Sequence, residues 1–131
     1  MAQLNFHKSI ATVPKVKLKI LQKLIDTYKL WQGFVRHFPK TSRYSLAIKI
    51  DSCFLKIIEN IFSASYADIN QKLNFVLMAS RKLDLLKFFL QIAWEIKAID
   101  NKRYIQLSQK LDEIGRMIGN WQKNLTKLPN K

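Results

Sequence analysis

The sequence predicts an all-α protein, an up-down-up-down bundle of four helices in a single domain. The 131 residues include only three glycines and three prolines, too few for the turns that a many-stranded sheet requires. Hydrophobic residues make up 48% of the chain and charged residues 24%, a composition typical of globular proteins. Apolar residues recur at steps of three and four along four stretches separated by short breaks, as in helices that each bury one face.

The first predicted helix spans residues 15–36 and follows a tail at residues 1–14. Polar residues interrupt the apolar ones in the tail, and Pro14 suits the position that opens a helix. The lysines of this helix lie mostly on the side opposite its apolar residues, so one face is core and the other is positive. The apolar positions are Val16, Ile20, Leu24, Tyr28, Trp31, Val35 and Phe38.

The second predicted helix spans residues 43–65. Pro39 ends the preceding pattern, and Thr41 or Ser42 is suited to cap the new helix. Asp51 lies within the apolar stripe, so its carboxylate must be paired, hydrogen-bonded or protonated. We expect a structural partner, because a catalytic acid would need a companion that the sequence lacks. The stripe comprises Tyr44, Ala47, Ile48, Phe54, Leu55, Ile58, Ile61 and Phe62.

The third predicted helix spans residues 69–98, and Asp68 followed by Gln71 resembles a capping box. From Ser80 onward the apolar residues cover roughly two-thirds of the helix circumference, more than a four-helix monomer buries. This surplus favours self-association, and the alternative is a helix central to its own bundle. The residues expected at the contact between copies are Leu86, Phe89, Ala93 and Trp94.

The fourth predicted helix spans residues 101–125, within a bundle domain of residues 15–128. Asp100 or Asn101 is suited to cap it. Gly115 and Gly119 each disfavour helix, which indicates that a neighbouring helix approaches closely there. The apolar seam is Tyr104, Leu107, Leu111, Ile114, Ile118, Trp121 and Leu125.

Catalytic, metal-binding and membrane-spanning functions find no support in the sequence. It has no glycine-rich phosphate loop and no Ser/His/Asp grouping. His7 and His37 lack the spacing of a bundle metal site, so we expect no metal, no cofactor and no enzyme activity. Cys53, the one cysteine, is expected to be a buried hydrophobe. No apolar run is long enough to cross a membrane and no export signal is evident, so a cytoplasmic location is expected.

The strongest functional indication is charge. Lys and Arg number 23 against nine Asp and Glu, a net charge of +14, and residues 1–50 hold ten basic residues and one acid, Asp26. The electrostatic field of such a charge attracts polyanions. Nucleic acid is the first candidate, and an acidic protein or an anionic membrane is a weaker one. A merely solvated cationic surface is the remaining alternative. The candidate binding residues are Lys15, Lys19, Lys23, Arg36, Lys40, Arg43, Lys49 and Lys56.

Three segments resemble a known family. They are Phe-Pro-Lys-x-x-Arg-Tyr-x-Leu (38–46) with Lys-Ile-Asp (49–51), Lys-Leu-Asp-Leu-Leu-Lys (82–87), and Asp-Glu-Ile-Gly-Arg-Met-Ile-Gly-Asn-Trp (112–121). In this order they resemble the accessory variability determinant (Avd) proteins of diversity-generating retroelements, which are related to four-helix proteins encoded in intervening sequences of bacterial rRNA genes. The resemblance covers nearly the whole chain after Pro14.

The resemblance implies a homopentameric barrel of four-helix protomers with a positively charged surface. It implies a basic accessory subunit that associates with a reverse transcriptase and its template RNA or cDNA in mutagenic retrohoming. Lys40 and Arg43 match the family's basic loop motif, and Lys87 matches a basic position on the third helix. Gln91 departs from the family, whose members often have arginine there, and Asn120 stands where many have glycine. The alternative function is an interaction scaffold of the intervening-sequence type that binds an acidic protein or rRNA.

Overall fold

The described secondary structure is entirely helical. The computed structural model describes residues 15–127, with side chains from Lys19 onward, so the predicted tail and the last four residues lie outside the described part. The helices are α1 (Lys15–Val35), α2 (Lys40–Arg43), α3 (Leu46–Tyr66), α4 (Ile69–Glu95) and α5 (Asn101–Thr126). The four long helices correspond to the four predicted ones, and the single-turn helix α2 was not predicted.

The four long helices form a closed ring of neighbours. α3 packs against α1 and α4, and α5 packs against α4 and α1. Because short loops join sequential helices, each runs antiparallel to the next. The predicted four-helix bundle is confirmed.

The core is built from residues three and four positions apart on each helix, as the apolar periodicity predicts. On α4 the buried positions are Val76, Ala79, Leu83, Leu86, Leu90 and Ala93. An aromatic cluster closes one end, where Trp31 meets the ring of Phe38 edge-on at 5.3 Å and stacks on Phe54 at 6.2 Å. Phe38 therefore stays in the core although it lies beyond the end of α1.

The buried face of α3 differs from the predicted one. Ile50 and Ile57 are fully buried, whereas Ile48 and Leu55 are 55% and 47% exposed. α3 carries apolar residues on two sides, and its neighbours α1 and α4 cover only one of them. Periodicity alone gives no means of choosing between two apolar faces of one helix.

The α4–α5 turn ends α4 three residues earlier than predicted. Lys97 adopts a left-handed conformation, with φ at 64°. The N–H groups of Lys97 and Ala98 donate to the carbonyls of Trp94 and Ala93, at 3.0 and 2.8 Å, which is the Schellman arrangement. A lysine thus occupies the position where glycine is usual.

Helix caps agree with the sequence at one of three places. Asp100 caps α5 by accepting a hydrogen bond from the N–H of Arg103, at 2.8 Å. The capping box predicted at Asp68 is wrong, because that side chain makes no capping hydrogen bond. Thr41 and Ser42 lie within α2, so neither caps α3, which follows Ser45.

One of the two glycines of α5 lies where a neighbouring helix approaches closely. A Cβ at Gly115 would lie 3.3 Å from the Cδ2 atom of Leu83 on α4, closer than ordinary van der Waals contact. A Cβ at Gly119 would meet nothing within 4 Å. The predicted close approach is therefore confirmed at Gly115 and wrong at Gly119.

Candidate nucleic-acid interface

Among the nine predicted binding residues, four reach solvent with no salt bridge in the described part of the chain. They are Lys19, Arg36, Lys40 and Lys49, and all four are exposed. The side chain of Lys15 lies outside the described residues. The other four make specific contacts within the protein.

The outer face of α1 carries the first group of free cations. Lys19 and Lys29 are exposed on this helix, as is Arg36 directly after it, while residues between them, such as Leu24 and Trp31, are fully buried. Lys40, one loop further on, is also exposed. The helical period therefore separates a basic outer face from an apolar inner face on the same element.

A second group of cations lies where α3 meets α4. Burial raises the pKa of the Cys53 thiol, and the positive charges of Lys82 and Lys49 partly offset that rise. Lys49 belongs to α3 and Lys82 to α4, and both charges act on the buried thiol. The predicted set is therefore divided among α1 with the segment after it, α3 and α4.

Two of the predicted lysines bridge α5 to its neighbours. Lys23 Nζ on α1 lies 2.9 Å from Glu113 Oε2, and Lys87 Nζ on α4 lies 3.0 Å from Asp112 Oδ1. The hydrogen bond and positive charge of Lys23 lower the pKa of Glu113. The ammonium charges of Lys23 and Lys87 are partly neutralised by these carboxylates, so the two lysines contribute less to the positive potential outside the protein.

Lys56 also has an acidic partner, but on its own helix. Its Nζ lies 3.3 Å from Glu59 Oε1, one turn further along α3. Both side chains are mostly exposed, so the pair adds little stability. Its charge is nevertheless shared with a carboxylate.

Arg43 has a structural role that the sequence did not reveal. Its Nη2 atom donates to the carbonyl oxygens of Arg36 and Phe38, at 3.0 and 3.1 Å. Both carbonyls lie just after the end of α1, where the chain leaves the helix and its acceptors need partners outside the helical ladder. The arginine of the Phe-Pro-Lys-x-x-Arg segment therefore closes the α1–α3 connection.

Asp51 has the hydrogen-bonding partners expected of a carboxylate within an apolar stripe. Its Oδ1 atom accepts from the hydroxyl of Tyr28 at 2.8 Å and from Nε2 of Gln32 at 2.9 Å, both on α1. Burial raises the pKa of Tyr28, and the hydrogen bond that it donates to Asp51 adds to the rise. The expected structural role of Asp51 is confirmed, and its contacts join α1 to α3.

The fold and these segments agree with a comparison to protein families. Residues 15–125 match the family model described as bAvd-like. The protein belongs to the bAvd-like family. The match begins where α1 begins and stops one residue before the end of α5, so it spans the described bundle. The resemblance to Avd proteins is confirmed. No curated protein matches the sequence.

The predicted contact between copies of this bAvd-like chain needs correction. Leu86 and Ala93 are fully buried within the protomer, and Phe89 is partly buried against the same core. Trp94, near the end of α4, is exposed, but its ring stacks on that of Tyr104 on α5. Besides Trp94, the surplus apolar surface from the middle of α4 to its C-cap residue lies at Met78, Leu85, Phe88 and Ile96.

The bAvd-like chain also has an apolar groove between α1 and α3 that the sequence did not predict. The groove holds about 700 Å³ and is lined mainly by aliphatic and aromatic side chains, with Asp51 and Glu59 among the polar ones. The signal for it was present in the second apolar side of α3. The apolar lining comprises Leu21, Ile25, Ile48, Leu55, Ile58 and Phe62.

The described residues offer neither a metal centre nor a membrane span. No group of three or more His, Cys, Asp or Glu side chains in residues 15–127 is arranged to hold a metal ion. Within the same residues, no helix is both long and apolar enough to cross a bilayer.

Proposed function

We propose that this bAvd-like chain is a non-catalytic accessory subunit of a diversity-generating retroelement. In this role it associates with the reverse transcriptase and with template RNA or cDNA during mutagenic retrohoming. The observation that carries the proposal is the set of exposed cations without salt bridges on a chain of net charge +14. Family membership supports the retroelement setting.

The cations suit phosphate backbones better than base edges. Lysine outnumbers arginine eighteen to five, and an ammonium acts as a point charge, whereas bidentate base recognition favours guanidinium. The one arginine in the basic loop segment, Arg43, uses its Nη2 atom on backbone carbonyls. We therefore propose binding driven by counterion release, with little dependence on sequence.

We further propose that the protomers assemble into a ring, a pentamer by the family resemblance. Two unlike apolar surfaces of one protomer support this assembly. One is the α1–α3 groove, and the other is the α4 ridge, defined by Met78, Leu85, Phe88 and Ile96. An interface between two different surfaces repeats from copy to copy and closes as a ring when the rotation allows it.

Charge also fits the groove to the ridge. The chain has only nine acidic residues, yet Asp51 and Glu59 both line the groove, together with one cation, Lys56, which pairs with Glu59. Arg81 is exposed on α4 within the span of the ridge and has no salt bridge among the described residues. Docking the ridge of one copy into the groove of the next would bring Arg81 towards those carboxylates. We propose that a second copy occupies the groove for this reason.

Complementation of two variants tests this assembly. Leu55→Glu introduces a charge into the groove, and Phe88→Glu introduces one into the ridge. Both side chains are about half exposed, so each protomer should still fold. Each variant alone should have monomer mass by light scattering. An equimolar mixture retains one intact groove and one intact ridge and should form a heterodimer. A ring that persists in both variants would refute the groove-to-ridge contact.

Co-purification separates the proposed function from its alternative. The alternative is a scaffold of the intervening-sequence type, whose basic surface binds an acidic protein or rRNA. We expect the wild-type protein to retain reverse transcriptase and template RNA from cells that carry a retroelement. Digestion with nuclease should then release the RNA. Retention of neither the polymerase nor its RNA, together with recovery of rRNA or of an unrelated acidic protein, would favour the alternative.

A further inference from the structure

One tryptophan of three reaches solvent, and it lies beside an open cavity at the α4–α5 turn. Trp94 is 40% exposed, whereas Trp31 and Trp121 are 0% and 5% exposed. The cavity holds about 780 Å³. An exposed indole next to a cavity offers a flat apolar surface that a ligand ring can cover. The cavity is lined by Trp94, Glu95, Lys97, Ile99, Asp100 and Asn101.

The indole of Trp94 is held in place before any ligand arrives. It stacks on the ring of Tyr104 with 5.2 Å between centroids and 10° between planes. Its Nε1–H donates to Oδ1 of Asn101. A side chain already fixed on one face and at its edge loses little conformational freedom when its other surface is covered. Trp94 is thus preorganised for stacking.

The charges around the cavity distinguish a base from a phosphate. Glu95 and Asp100 line the cavity together with one cation, Lys97, so carboxylates outnumber ammonium groups there, and the amino group of a base could donate to those carboxylates. Lys97 lies within this turn and Lys102 in the first turn of α5; both are exposed and have no salt bridge within residues 15–127. Arg103 instead pairs with Asp100 at 2.9 Å. The cavity suits a base, and the exposed lysines suit the adjoining phosphates.

We propose that an unpaired nucleobase of single-stranded RNA or DNA stacks on Trp94, with flanking phosphates at Lys97 and Lys102. The proposal rests on the proposed nucleic-acid binding and adds a site to it. Stacking of bases on aromatic side chains tolerates any sequence, because every base has a π-face. The site therefore selects unpaired strands over duplex without reading their sequence.

Tryptophan fluorescence tests the site directly. The probes are oligoadenylates of about 16 nucleotides, as RNA and as DNA, and an abasic strand with the same number of phosphates. Wild-type protein should show quenching with the base-bearing strands and should bind them about tenfold more tightly than the abasic strand. Quenching by either sugar form supports the site, and the stronger of the two identifies the preferred strand.

Three variants assign the signal to Trp94. Trp94→Phe should keep the preference for base-bearing strands but lose the quenching. Trp94→Leu should bind base-bearing and abasic strands equally, at unchanged oligomer mass. Trp121→Phe should retain both the quenching and the preference, because its indole is buried.

The possible failures are distinguishable. Equal binding of base-bearing and abasic strands by the wild-type protein would overturn the stacking site and leave the proposed nucleic-acid binding intact. No binding of any strand at low salt would overturn both. A loss of oligomer mass in Trp94→Leu would assign the indole to a contact between copies and would also overturn the site.

Discussion

Replacement of Arg43 by alanine separates structural from binding roles among the basic residues. The substitution removes two hydrogen bonds from a guanidinium to the carbonyls of Arg36 and Phe38. At about 1 kcal/mol for each bond, the free energy of unfolding should fall by about 2 kcal/mol. For a domain of this size that loss corresponds to a melting temperature lower by roughly 8 °C.

The matched control is Lys40→Ala, which removes one positive charge from the same segment. Lys40 is exposed and has no salt bridge among the described residues, so its loss should change the unfolding free energy by less than about 0.5 kcal/mol. Thermal unfolding followed by circular dichroism and nucleic-acid binding at fixed salt should be measured for both variants. If Arg43→Ala instead melts like the wild-type protein and weakens binding as much as Lys40→Ala does, Arg43 is a binding residue and not a structural one.

Three further predictions concern stability. Gly119→Ala should raise the free energy of unfolding by about 1 kcal/mol, because the added Cβ meets nothing within 4 Å and alanine favours helix. Gly115→Ala should raise it less, because the added Cβ would crowd Leu83. Equal increases for the two variants in urea titrations would contradict this difference. Lys97→Gly should add about 1 kcal/mol because glycine adopts positive φ without strain; a lower melting temperature would count against this. The raised pKa of Tyr28 favours the neutral phenol in the folded state, so its contribution to the free energy of unfolding should persist below the ordinary tyrosine pKa of 10.0 and be lost at higher pH. Tyr28→Phe should therefore reduce the fall in melting temperature at alkaline pH, and an unchanged fall would contradict this role.

Most of the fold could be predicted from the sequence because periodicity records which side of each helix is buried. It succeeded for α1, where Ile20, Leu24 and Trp31 are fully buried as expected. It failed for α3, whose two apolar sides are equivalent until the neighbouring helices are placed. The end of α4 was also missed, because Lys97 at a left-handed position carries no glycine signal.

The candidate site was predicted less completely than the fold. Composition predicts a basic surface, but the partner of each cation depends on which helices meet. Lys23 and Lys87 find carboxylates on α5, at a distance along the chain that no local pattern encodes. Arg43 donates to backbone carbonyls, and because every residue has a carbonyl, no side-chain pattern in the sequence indicates this partner. By contrast, Lys19 is exposed without a salt bridge, as its placement opposite the apolar positions indicated, and Lys40, predicted from the loop motif, is likewise exposed without one.

The most direct test of the account is the salt dependence of nucleic-acid binding in two matched triple variants. In one variant Lys19, Lys40 and Lys49 become glutamine, and in the other the salt-bridged lysines are replaced in the same way, so the net charge is equal. The salt-bridged set is Lys23, Lys56 and Lys87.

Binding should be followed between about 50 and 200 mM salt, where the slope of log affinity against log salt reports the number of phosphate contacts. In the variant lacking exposed lysines, the slope should shrink by about two to three. It should change much less in the variant lacking salt-bridged lysines. Equal slopes in the two variants, or a wild-type affinity that does not fall as salt rises, would contradict the account.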